Sequence, residues 1–184
     1  MLVGTCTPEI IGYSDIDEPF SRFFDIRDLH EFSETDSKEM VRYVINQSSL
    51  DAEIEDQVLE RLHEETEGHP YHLTLFMHEI IRNKNNGTIT LDDYRKSEPE
   101  IMRGVKTHLR SKFTDLTDTE ISAIKSAVKV ERSVFNPSDL DGVSSPSNIC
   151  LQLCDKEVFE RKGHGRYSFR HPMTRKYFEQ EILS

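Results

Sequence analysis

His63, His69, His72 and His78 crowd a short stretch of a chain otherwise rich in acidic and apolar residues. Clustered imidazoles suggest metal binding, for which helical ligands want i, i+4 spacing backed by a glutamate and a third ligand, as in H-E-x-x-H. His72 and His78 are six residues apart and face different sides of a helix, and His78-Glu79 lacks its second histidine. No metal centre is expected here. Within the same stretch, EGHPYHLTLFMHEI, an acidic segment stops at Gly68-His69-Pro70 and restarts as an apolar one. Glycine takes the left-handed conformation that closes a helix, and proline suits the first turn of the next, where a missing N–H costs nothing. A tight helix-to-helix junction is therefore predicted. A third group is basic: Arg161, Lys162, Arg166 and Arg170 surround Gly163-His164-Gly165, with Arg175 and Lys176 nearby. Such residues track phosphates without reading bases.

The elements that position these groups follow from spacing and punctuation. LVGTCT reads as a short buried strand, and Phe23 to Ile26 as a second; two strands are too few for a sheet, so they look like the remnant of a larger one. From Ser33, a helix cap, SETDSKEMVRYVINQ carries Met40, Val41, Val44 and Ile45 in one stripe. A second helix is predicted from about Asp51 to Thr66, with Ile54, Val58, Leu59 and Leu62 on one face. A third starts at Pro70, turns Leu73, Phe76, Met77, Ile80 and Ile81 inward, and runs out before Asn86-Gly87. Thr90 caps a fourth, which Pro99 is expected to interrupt or restart. Residues 31–112 thus read as a helical bundle.

The remainder, 113–184, has a different order. Thr117 caps a helix with Ile121, Ile124 and Val128 at helical spacing, and short helices follow around NPSDLDG and SPSNICLQLCDKE. EVFERKGHGRYSFRHP then alternates on both sides of Gly163-His164-Gly165, the composition of a hairpin. Three helices and a hairpin make the order of a winged helix-turn-helix, closed by PMTRKYFEQEIL. Charge supports two modules: residues 1–100 hold 9 Lys and Arg against 23 Asp and Glu, whereas 101–184 hold 14 against 11. The first would repel a polyanion, so any nucleic-acid contact falls to the second. A recognition helix offering only Asn148, Gln152 and Lys156 reads bases poorly. The basic hairpin therefore has two readings, a weak, salt-sensitive DNA contact or a wing that packs on the acidic module or an ATPase core.

Cys6, Cys150 and Cys154 form no C-x-x-C pair; Cys150 and Cys154, one helical turn apart, read as small apolar side chains on a buried face. No apolar run approaches the roughly 20 residues of a membrane span, and the N-terminus lacks a signal-like pattern. A cytoplasmic protein without membrane contact is expected.

LVGTCT, SRFF, EGHPYHL and the Phe169-Arg170-His171-Pro172 ending, in that order, resemble the C-terminal part of an archaeal-type STAND or AAA+ P-loop ATPase, and more distantly the origin-recognition initiator ATPases. The resemblance spans nearly the whole chain through short motifs. It implies a mainly α fold: a remnant of the ATPase core over 1–30, a helical lid over 31–112 and a winged-helix domain over 113–184. It implies that Thr5, or failing it Thr7, senses the γ-phosphate, and that Arg22 is an arginine finger acting in cis or on a neighbouring subunit. It also implies that Gly68, His69 and Pro70 form the GxP junction of the lid, aiming a helix N-terminus at the nucleotide. Local readings stand beside these. Arg22 also reads as a surface arginine paired with Asp25 or Asp28, Thr5 as a strand-end hydroxyl, and Gly68-His69-Pro70 as a plain helix stop and start.

The departures from the family decide the enzymatic expectation. No G-x-x-x-x-G-K-[ST] occurs, nor an apolar strand ending in paired acids to hold Mg²⁺. Phosphoryl transfer depends on such positioning and charge stabilisation. The chain alone is therefore expected not to hydrolyse ATP. It is expected to bind ATP, with Mg²⁺ only where an ATPase core is supplied, as a non-catalytic lid and winged-helix regulatory part of a longer or degenerate ATPase. The alternative is a winged-helix DNA-binding module of initiator or transcription type using Arg161, Lys162, Arg166 and Arg170. The expected partners are the ATPase core or another protein, and weakly DNA.

Overall fold

A computed structural model describes residues 30–48, 51–84 and 87–183. The chain divides into two compact units, Met1–His30 and Glu31–Ser184. Thr5, Thr7, Arg22 and both predicted N-terminal strands lie outside the described residues. The fold is mainly α.

Helix α1, Glu34–Gln47, starts where Ser33 accepts a hydrogen bond from the Asp36 amide, and it buries Val41 and Ile45. Strand β1, Ala52–Ile54, precedes helix α2, Asp56–Thr66. The predicted second helix is therefore too long at its start. Residues 52–54 instead pair in parallel with strand β2, Gly87–Ile89, in the register Ala52 to Gly87 and Ile54 to Ile89. Ile54 consequently leaves the helical stripe, and Val58, Leu59 and Leu62 remain to fill the core. Helix α3, Pro70–Asn83, turns Leu73, Phe76, Met77 and Ile80 inward at the 3–4 residue repeat of one helical face.

Helix α4, Leu91–Lys112, is continuous through Pro99, contrary to the predicted break. Proline removes one backbone bond and normally kinks a helix. Pro99 lies on the exposed face, while Tyr94, Ser97, Ile101, Met102 and Val105 are buried on both sides of it. Packing of the buried face holds the axis. Helices α3 and α4 approach closely because Gly104 has no side chain: a Cβ there would stand 2.7 Å from Leu75 Cδ1.

Helix α5, Asp118–Lys129, buries Ala123, Ile124 and Ala127; Ile121, expected inward, is 37% exposed. A single 3-10 turn, Pro137–Asp139, and helix α6, Pro146–Asp155, follow. Strands β3, Phe159–Gly163, and β4, Arg166–Phe169, form an antiparallel hairpin, and Phe135 bridges to Tyr167 on its edge. Edge-to-face contacts of Phe159 with Phe135 and Phe169, both at 5.1 Å, fill the space beneath. Helix α7, Pro172–Leu183, returns to pack on α5, α4 and α2. Phe178 meets Phe113 at 5.5 Å, so the bundle and the hairpin part belong to one unit. No described helix is long and apolar enough to cross a membrane.

Candidate functional site

The junction after α2 is built from backbone. Glu67 takes the left-handed conformation (φ 47°), and Gly68 follows at φ +74°. The Gly68 carbonyl accepts the Phe32 amide at 3.0 Å, and a Cβ on Gly68 would stand 2.0 Å from the Phe32 oxygen. Glycine is thus required twice, for its conformation and for the strand of backbone pressed against it. The His69 amide donates to the Thr66 carbonyl at 2.9 Å, and Pro70 opens α3 with no side-chain cap on its first turn. An uncapped helix start leaves N–H groups and the positive end of the dipole available.

A second helix start meets the first. His69 precedes Pro70 at the head of α3, and His171 precedes Pro172 at the head of α7; their rings lie 5.0 Å apart, edge to face. His72 lies 4.5 Å from His69 and 6.2 Å from His171. His108 of α4 stands 6.4 Å from His72 and stacks at 4.2 Å on Tyr71, which is 42% exposed. His72 itself is 2% exposed, and neither of its ring nitrogens has a hydrogen-bond partner; Nδ1 of His69 and of His171 is also buried without one.

These imidazoles are held neutral. Burial, reinforced by the neighbouring rings, pushes His72 down to about 3. Burial, with His69 and Arg170, pushes His171 down to about 4. Burial also lowers His69, against the pull of Glu31, and burial with Lys112 lowers His108. Buried polar atoms in native proteins find partners, so this concentration of unpaired nitrogens marks a place with unused hydrogen-bonding capacity. Among the described residues no group of three or more His, Cys, Asp or Glu is arranged to hold a metal ion. His63 instead bonds Ser37 at 3.0 Å, and His78 lies beside Glu79 at 3.2 Å.

The basic hairpin is partly neutralised. Lys162 pairs with Glu160 at 2.6 Å and Arg170 with Glu31 at 3.8 Å. Arg161 donates to the Gly163 carbonyl at 3.2 Å; Arg161 and Arg166 are exposed and form no ion pair among the described residues. Lys156 of the presumed reading helix is spent on Glu120 and the Asp115 carbonyl, both at 2.8 Å. Asn148 and Gln152 remain exposed on α6. Cys150 is fully buried, and burial pushes its thiol up to about 12.

The structure therefore places Gly68, His69 and Pro70 together with His171, and leaves Arg161, Lys162 and Arg166 on the hairpin. Sequence reading quoted His171 only as part of a motif and gave His72 and His108 no role. A signal was present: the dipeptide His-Pro opens both α3 and α7.

No family model matches the chain, and no curated protein matches it. Among solved structures the chain is similar to a Walker-type ATPase of Pyrococcus abyssi, with 15% identity and a TM-score of 0.64 over 81% of this chain and 42% of that one. The fold is thus that of part of an archaeal Walker-type ATPase. The chain spans less than half the length of that ATPase.

Proposed function

We propose that this chain is the nucleotide-sensing lid and winged-helix regulatory part of a STAND or AAA+ type ATPase, and that the phosphates of ATP or ADP sit at the paired starts of α3 and α7. The observation that carries this reading is the convergence of two His-Pro helix starts. Each helix start carries a positive dipole end, and two such starts whose histidine rings lie 5.0 Å apart favour an anion beside them. Lys112 and Arg170 stand near the imidazoles, each paired with a carboxylate, Glu157 and Glu31. Neutral imidazole N–H groups and main-chain amides donate to phosphate oxygens without needing net charge of their own. Thr5 and Arg22 keep the roles that the family resemblance gives them, and the cradle, Mg²⁺ ligands and ATPase core come from a longer chain or a partner protein. Without them the chain does not hydrolyse ATP.

Binding to this chain alone is expected to be weak, on the order of millimolar, because the cradle supplies most phosphate contacts. The test is nuclear magnetic resonance on the chain with ADP. Ring signals of His69, His72 and His171 and the amides of Tyr71 and His72 should shift, and adenosine, which has no phosphates, should leave them in place. Unmoved signals at the junction would refute the proposal. A second reading, the DNA-binding winged helix, draws on exposed Arg161 and Arg166; a short duplex that moves those two residues and not the junction would favour it.

A further inference from the structure

The four imidazoles lie on a seam. His69 and His72 belong to α3 and His108 to α4, whereas His171 sits at the corner between β4 and α7, in the part of the chain that follows the bundle. Every ring is within 6.4 Å of another, and His72 is 2% exposed. An imidazolium in this position would lose its hydration and face other rings at short range. The charged neighbours do not rescue it. Lys112 of α4 and Arg170 of the corner oppose the charge, and among the described residues Glu31 and Glu157 favour it. Both carboxylates are already engaged, Glu157 by Lys112 and Glu31 by Arg170. Tyr71 packs against His72 at 5.8 Å, and Glu67, whose carboxyl is raised by burial, adjoins the junction.

We propose that this cluster is a proton-operated catch, in which the closed seam admits only neutral histidines and mild acidification parts the β4–α7 corner from the bundle before either part unfolds. The trigger is set by the open form, not the closed one. Once exposed, each histidine regains its ordinary value near 6.5, so the open form binds protons well above the range in which the closed form does. The sign follows from linkage: the closed form's advantage is complete above that ordinary value and is lost as pH falls below it. Each histidine released raises the open fraction by up to about tenfold per pH unit, and three together by up to about a thousandfold. The response is steep because the rings open together. It does not depend on any nucleotide.

Hydrogen exchange on the whole chain, corrected for intrinsic rates, tests this from about pH 7.5 to about pH 5.5, a window that spans the ordinary histidine value and stays above the carboxylates. The amides of His69 and Thr174, each bonded locally on its own side of the seam, to Thr66 and to His171, and covered by the other side, should lose protection steeply while those of Val41 and Ile45 in α1 keep theirs. His171→Gln should lower the steepness by about one proton. Seam amides indifferent to pH would overturn the proposal, as would seam and α1 amides losing protection in step, since that is plain acid unfolding. The wild-type profile decides alone if the variant does not fold.

Discussion

A methyl group on Gly68 has nowhere to go. It would meet the Phe32 carbonyl at 2.0 Å, on a backbone at φ +74° that L side chains resist. Gly68→Ala should therefore destabilise the chain by about 1–3 kcal/mol, combining left-handed strain with displacement of the Phe32 backbone. Urea unfolding of the two proteins measures it; equal midpoints would show that the junction relaxes freely. The turn itself was legible in the sequence, because Gly before His-Pro admits few conformations. The contact with Phe32 was not, since nothing local links residues 36 positions apart. The same limit applies to the imidazoles: His69 and His72 were visible as a cluster, but His171 joins them only through the fold.

At the scale of elements, caps were the most readable feature. Thr90 and Thr117 each accept from the amide three residues on while Asp93 and Glu120 reach back, forming complete capping boxes. Lys84, 2.7 Å away, together with the Thr90 bonds holds Asp93 down at about 2. Burial would raise Glu120, but Lys156 and Thr117 outweigh it and leave its carboxyl below the usual range. Thr117→Ala should cost about 1 kcal/mol, read as a lower thermal midpoint for the cooperative transition; an unchanged midpoint would mean that Lys156 alone fixes Glu120. Where elements were misread, the cause was non-local. Residues 52–54 alternate in a way that fits either a helix face or a strand, and their partner, β2, lies beyond two intervening helices. Pro99 misled for the opposite reason, because its local penalty is outweighed by burial on the other face of α4.

For the whole molecule, ion pairs of both polarities tie α7 to the bundle. Lys176 of α7 reaches across to Glu98 at 2.5 Å and Glu65 at 3.3 Å, and Lys106 of α4 to Glu181 at 3.1 Å. Glu65 is the sensitive member, its side chain 9% exposed and its other partner Arg61 at 2.7 Å. Lys176→Met should cost about 1 kcal/mol, since it leaves a nearly buried carboxylate with Arg61 alone, and the loss should shrink when Glu65→Gln is added. A double variant no better than the single one would place the cost in packing, not charge. Composition said nothing about which ion pairs tie α7 to the bundle.

One contact at the seam has a practical side. The chain has no tryptophan, so its near-ultraviolet absorption and emission arise from six tyrosines and ten phenylalanines. Tyr71, stacked on His108 at 4.2 Å, puts one of those few chromophores beside the convergent helix starts. The molecule carries its own optical reporter at this seam, with no dye attached.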